Sequence, residues 1–426
     1  MNFPFNFQKS MIKLRAAGFL ASLCMLLVPK LWAQEKTLAY FIDAGTRNSP
    51  LLKDYQLQQT GNLIDSLRIM AGYKPQVNGI STNYYAPSIK GWGFDEAITN
   101  GTTFSQLVSA SQKLVSKENL QNQYEAISLL NQSLTIAGKI SAQDLSKSIT
   151  AQYITAYGNW EQYLFNNEIL LLLKKEEAIL KKMTENGIYR QTDYLSFLVT
   201  EQQQELQISQ LKTQYQSEFA TLNYLCGIKD TNAVSLARPD MRIVLVPDIE
   251  NTVFYQQFLV DSLKLQNSNA LIEYNYKPKI SIYADGGYLS SFAEKAYKNL
   301  GLGAGINIIV PIYDGKQKKM QHDKINIAEQ NRQGYRDFFK TQYQQQIAQL
   351  SQQLASTQQL IGQTDKQIRY TETLMEANRK LLETGDVRMA DYILAIGNYL
   401  TAKNLVTQLT INRMQLINQI NYWNKN

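Results

Sequence analysis

Apolar side chains recur every seven residues at Ile347, Leu354, Ile361, Ile368, Met375 and Leu382, among amides and charges. A heptad kept up over this distance predicts a long helix wound on a neighbour. From about Phe104 to Glu185, and from Lys316 to Glu383, there is no proline and little glycine. Each stretch predicts a helix of roughly 70–80 residues, on the order of 100 Å long. In the first, Ile149, Tyr153, Tyr157, Trp160 and Leu164 step by four, four, three and four. Gly187 and Gly385 interrupt the two runs, and a second helix of about 35–40 residues returns to Tyr224 or Tyr422.

A different period precedes each long helix. Ile280, Ile282, Ala284, Gly286 and Tyr288 alternate with Lys279, Ser281, Tyr283 and Asp285. Leu300, Leu302, Ala304, Ile306 and Ile308 alternate with Gly301, Gly303, Gly305 and Asn307. Period-two alternation over about ten residues, with small or polar residues on the second face, is the pattern of an outer-membrane strand. The first half repeats the layout less cleanly, from Gln76 to Tyr85 and from about Gly91 to Thr103. Tyr84, Tyr85, Tyr276, Tyr283, Tyr288, Tyr313 and Trp92 form interfacial girdles on this reading; in a soluble sandwich they are strand-forming aromatics. Four strands cannot close a barrel, since about eight is the practical minimum.

The two halves are copies. Tyr73-Lys74-Pro75 returns as Tyr276-Lys277-Pro278. Gly187, Arg190, Asp193 and Tyr194 return as Gly385, Arg388, Asp391 and Tyr392, and Asn223-Tyr224 as Asn421-Tyr422. Three matches in one order mark a tandem duplication. The expected units are a leader over 1–33, a first repeat over 34–230 and a second over 266–426. The first holds a β-hairpin at about 75–103 and a helical hairpin at about 104–226. In the second these fall at about 278–313 and 316–423, after a connector at 231–265.

Charge and cysteine content narrow the classes. Lys9, Lys13 and Arg15 precede the apolar run Ala16 to Val28, which has signal-peptide length, with cleavage near Ala33. An uncleaved anchor is the alternative, and Met11 is a second possible start. Bulky Leu23 before Cys24 argues against lipidation. Loss of 1–33 removes four of the positive charges and no acid, taking the net charge from +7 to +3. Nucleic-acid binding therefore gains nothing from the basicity. Cys226 is then the only cysteine, which excludes an internal disulfide or a cysteine metal cluster. No later stretch approaches the length of an apolar spanning helix.

Together these features resemble the TolC-like outer-membrane efflux proteins. Asn48-Ser49-Pro50 is similar to the family's Asn-Pro segment near the mature start, and Val310-Pro311-Ile312-Tyr313-Asp314-Gly315 to its strand-end signature. The resemblance implies an α+β membrane protein: a homotrimer whose four strands per subunit close one barrel in outer-membrane lipid. The barrel continues into a long α-helical coiled-coil tunnel through the periplasm of a Gram-negative bacterium. It further implies a passive exit duct for tripartite efflux or type I secretion, without cofactor or catalysis. The partners implied are a periplasmic adaptor and an inner-membrane transporter. The rival reading is a soluble periplasmic coiled-coil scaffold or adaptor.

By the same resemblance the repeated turns lie at the periplasmic tip, with Gly187, Arg190 and Gly385 at the adaptor-docking turns. Asp193 and Asp391 are the candidate gate acids, and Asp391 matches an acidic ring position. The family's second acid is replaced by Leu394, and its arginine is shifted to Arg388, a candidate for a lock onto a nearby acid. The competing reading of Asp193 and Asp391 is an ordinary helix cap. No enzyme site emerges: His322 is the only histidine, and Gly301-x-Gly303-x-Gly305 lies inside an alternating strand with the wrong spacing for a phosphate loop.

Overall fold

A computed structural model describes residues 36–95, 102–244, 248–291 and 298–424. The expected leader lies outside them. The chain opens with α1 (Leu38–Asn48) and α2 (Pro50–Gly72). Ser49 joins them: its hydroxyl accepts the Leu52 N–H at 3.4 Å, and Pro50 takes the first helical position, where no N–H is needed. Asn48 donates its amide to the Cys226 carbonyl at 2.9 Å. The Asn-Ser-Pro element is thus a helix junction tied to a distant helix end.

Strands β1 (Gln76–Tyr85) and β2 (Thr102–Leu114) lead into α3 (Lys117–Glu185), and α4 (Gln191–Leu225) returns. A single 3-10 turn precedes α5 (Val253–Asn275), then β3 (Lys279–Ser290), β4 (Leu300–Ile309), α6 (Gln317–Thr384) and α7 (Met389–Trp423). The long helices have 69 and 68 residues and the return helices 35 each. The strands form one antiparallel sheet in the order β1-β2-β3-β4.

Several elements differ from expectation. The second strand lies at Thr102–Leu114 rather than at about 91–103; of that expected range, 96–101 falls outside the described residues. The following helix starts at Lys117, capped by Ser116, rather than near Phe104. The strand's outward residues include Gln106 and Gln112, and its inward ones are largely serine, so its hydrophobic period is faint. Pairing along β1 and β3 supplies what propensity does not. The expected connector at 231–265 already contains much of α5. Helices α1 and α2 had no counterpart in the sequence reading.

Each repeat is therefore a rising helix, a hairpin, a long descending helix and a half-length return. The waist core forms where α1 and the end of α4 meet the middle of α3. Phe41 lies 5.7 Å from the Tyr153 ring and 6.0 Å from Phe219. Tyr153 Oη sits 2.9 Å from the Lys36 carbonyl and 2.6 Å from that of Ala237, beside the Lys36–Leu236 bridge. Gly158 lets α7 approach α3, since a Cβ there would stand 2.1 Å from Ile411.

Along α6 the heptad read from sequence is half of the seam. Tyr343, Leu350, Thr357 and Thr364 are buried between the turns of the first series. Thr357 and Thr364 donate to their own i−4 carbonyls at 2.8 and 2.9 Å, which satisfies the hydroxyls inside the contact.

Candidate functional site

The sheet has two chemically distinct faces. Directly paired residues share a face. One face therefore collects Val77, Val108, Ala110, Ile280, Ile282, Ala284, Leu302, Ala304, Ile306 and Ile308. The other collects Asn78, Thr82, Ser105, Ser109, Ser111, Lys113, Lys279, Ser281, Asp285 and Asn307, with Ile80, Leu107, Leu289 and Ile309 among them. On that polar face Tyr283 lies across Gly305, where a Cβ would meet its ring at 2.6 Å. The apolar band runs from Ile280 to the rung that joins Ser81, Gln106, Tyr288 and Leu300. Nine strand residues at a tilt near 40° span about 23 Å, close to the apolar height of an outer-membrane barrel.

The strand-end signature is a corner. Gly315 and Lys316 take left-handed backbone angles (φ 65° and 68°), turning the chain from sheet to helix. Asp314 accepts the Lys318 N–H at 2.6 Å, capping α6. The Tyr276 hydroxyl donates to the same carboxylate, and these bonds hold its pKa below the ordinary value. Nearby, His322 contacts Asn269 Oδ1 at 2.5 Å and Glu273 at 3.0 Å, and Lys318 reaches Glu273 at 2.8 Å. The histidine links α6 to α5. Among the described residues no group of three His, Cys, Asp or Glu is placed to hold a metal ion.

At the far end the two turns are brought together. Gly187 (φ 75°) and Gly385 (φ 79°) both adopt the left-handed conformation that ends a helix. Ile188 N–H bonds the Met183 carbonyl and Asp386 N–H that of Leu381, both at 2.9 Å, so the turns share one geometry. A Cβ on Gly385 would stand 2.9 Å from Ile188, so the second glycine also makes room for the first turn. Tyr189 Oη lies 3.2 Å from the Leu382 carbonyl and 3.0 Å from that of Val387, which staples one turn to the other.

The candidate acids have different partners. Asp193 accepts the backbone N–H of Arg190 at 3.2 Å, as a helix cap does. Asp391 is paired with Arg388, Nε to Oδ2 at 2.9 Å and Nη2 to Oδ1 at 3.3 Å. Within the chain, the partner of Arg388 is thus an acid on its own helix turn. Leu394 is exposed on α7.

A further ionic group, absent from the sequence reading, lies above the turns. Glu176 is 2% exposed, and its Oε2 has no hydrogen-bond partner. Its Oε1 is 3.9 Å from Arg379, which instead bonds Glu376 and Glu383 at 3.1 Å each. Burial pushes the Glu176 pKa up, and Arg379 only partly opposes it. The buried Tyr392 hydroxyl also lacks a partner, and burial raises its pKa. Glu176 sits in the run Lys174-Lys175-Glu176-Glu177, which reads as a solvated face. Nothing local marks it as buried.

The chain combines an antiparallel four-strand sheet, apolar on one face and mainly polar on the other, with two helical hairpins of great length. Solved structures carry the same arrangement. The chain matches CusC, described as forming a transmembrane channel, with a TM-score of 0.73 at 14% identity, over 92% of this chain and 93% of that one. It matches the outer membrane protein VceC of Vibrio cholerae at 0.71 and 13%, over 91% and 96% of the two chains. For the Neisseria gonorrhoeae MtrE outer membrane channel in its open state the values are 0.69 and 11%, over 91% and 88%. The chain has the TolC-like fold anticipated from its repeats. No protein-family model and no curated protein sequence matches it.

Proposed function

We propose that the protein is the outer-membrane exit duct of a tripartite efflux or type I secretion system in a Gram-negative bacterium. The observation that carries this reading is the two-faced sheet with unpaired edges at β1 and β4. An open edge is not tolerated in hydrocarbon. Three copies, each supplying four strands, close a barrel well above the minimum size, and their helical hairpins continue it as a periplasmic tunnel. Transport is passive and involves no catalysis. Energy comes from an inner-membrane transporter, coupled through an adaptor that docks at the turns around Gly187, Arg190 and Gly385.

Gating belongs to the tip. Three copies of Asp391 near one axis attract cations, while the Arg388 beside each one offsets that charge. The decisive experiment is extraction from the outer membrane as a heat-labile trimer, followed by single-channel recording in planar bilayers. A purely soluble monomer overturns the duct. Arg388→Ala should increase cation selectivity and block by divalent cations, and Asp391→Ala should reduce both. Unchanged selectivity and block in Asp391→Ala remove the acid from the gate.

A further inference from the structure

The outward face of the sheet is not uniform, and its difference lies at the extracellular end of the first hairpin. Below the rung of Ser81, Gln106, Tyr288 and Leu300, the outward residues of both hairpins are apolar or small, apart from Gln112 near the periplasmic end. At that rung the first hairpin carries Ser81 and Gln106, and above it Asn83 stands opposite Phe104 and Tyr85 opposite Thr102, so polar groups there lie beside aromatic rings. Gln106 donates its amide to Ser81 Oγ at 2.8 Å and to Asn83 Oδ1 at 3.2 Å, on the face that the second hairpin fills with Tyr288 and Leu300.

Beyond Tyr85 the chain builds a small finger. Ile89 and Trp92 exchange backbone hydrogen bonds at 2.9 and 3.0 Å across Lys90 and Gly91. Both central residues have positive φ, 53° and 80°, the geometry of a type I′ hairpin turn. Lysine is uncommon there, since residues with a side chain seldom take positive φ; Lys316 does so at the strand-end corner. The legs pack closely: a Cβ on Gly93 would stand 2.9 Å from the Pro87 carbonyl. The finger presents Trp92, 86% exposed, and Phe94, 67% exposed, with Lys90 at the turn. Among its described residues the one acid is Asp95, at the end of the segment rather than at the turn, and Glu96 follows it in the sequence.

We infer that this corner of the barrel is a binding site for the phosphorylated sugar headgroup of an outer-leaflet glycolipid. The inference rests on the outer-membrane reading above. Three chemistries that such a headgroup needs are carried by the outer part of the first hairpin and the turn that follows it. The amides and hydroxyls of Ser81, Asn83 and Gln106 meet sugar hydroxyls. The Trp92 face stacks on a sugar ring, and the Lys90 ammonium meets a phosphate. The strand part of the site begins at the upper boundary of the lipid-facing band, which favours a headgroup over an acyl chain or a soluble protein as its occupant.

The test uses the full chain reconstituted into phospholipid vesicles with and without bisphosphorylated lipid A, against phosphatidylglycerol vesicles of equal anionic charge. Trp92 emission is isolated as the difference between the wild type and Trp92→Phe. The expected result is a blue shift and severalfold weaker acrylamide quenching in lipid A vesicles only. Lys90→Asn, which keeps a residue suited to the left-handed turn, should lose most of that protection, as should removal of the lipid phosphates. Equal quenching in lipid A and phosphatidylglycerol overturns the site, leaving an ordinary interfacial aromatic. A chain that inserts in no vesicle and forms no heat-labile trimer overturns the duct reading, and the glycolipid site with it.

Discussion

The two helical tips share one motif and one backbone, yet the same positions carry opposite chemistry. Hairpin two places Met375, Leu382, Met389 and Tyr399 in the buried cluster. The positions 198 residues earlier, Glu177, Thr184, Gln191 and Glu201, are polar. The repeated tyrosines follow suit: Tyr194 donates to Glu177 at 2.7 Å, whereas Tyr392 is wholly buried with no partner. After the duplication only one copy of this face was turned into the core between the hairpins. The other kept polar residues, of which Gln191 is exposed and Glu177, Thr184 and Glu201 are half-buried. Equivalent backbones thus serve one as packing and one as a polar wall.

The strongest way to break this comparison is truncation at equivalent positions. Leu382→Ala should cost about 2–5 kcal/mol of tip stability. Thr184→Ala should change it by no more than about 0.5 kcal/mol. Protease sensitivity of the turns, measured against thermal melting of the whole trimer, reads the difference, and equal costs would erase the asymmetry.

Next in size is the buried ionic group. Arg379→Met leaves Glu176 without a cation and should cost about 1–3 kcal/mol, most of it restored by adding Glu176→Gln. The pH dependence follows from the direction of the shift. Glu176 has a folded pKa above its ordinary value, so its contribution is complete below about 4.5 and is lost as pH rises through the elevated pKa. Glu329 works the other way. Arg332, 2.6 Å away, holds it at about 2, so its contribution is present above the ordinary value and lost as pH falls towards 2. Melting curves from pH 4.5 to 8 should therefore slope downward in the wild type and flatten in Glu176→Gln. A slope that survives the substitution assigns it elsewhere.

Tyr189→Phe removes the staple between the turns. It should lower tip stability by about 1 kcal/mol and raise single-channel open probability. The smallest effects separate the two acids. Asp193→Ala loses a cap, about 1 kcal/mol. Asp391→Ala loses only an exposed pair, under about 0.5 kcal/mol, and its effect should appear in ion selectivity instead.

Much of the architecture was legible because it is periodic. The α6 heptad, the alternation in β3 and β4 and the matched Gly-to-Tyr turns each state a local geometry directly. β2 was misplaced because glutamines and serines blur its period. The α6 seam was half seen because Thr357 and Thr364 do not read as core. In the candidate site, the turn glycines and the Arg388 and Asp391 positions were visible, but their pairing with each other was not. Glu176, Arg379 and Tyr189 gave no signal, since a charged residue in a lysine-rich run reads as solvated.

The sequence by itself determined the long helices with their glycine turns and the alternation of β3 and β4, because helix and strand repeats are set by backbone geometry within a few residues. Tertiary structure alone decided which repeat was buried, which acid capped a helix and which was paired, and where a carboxylate lost its water. Those outcomes depend on contacts such as that of Tyr189 with the Leu382 carbonyl, 193 residues along the chain, which no local pattern encodes.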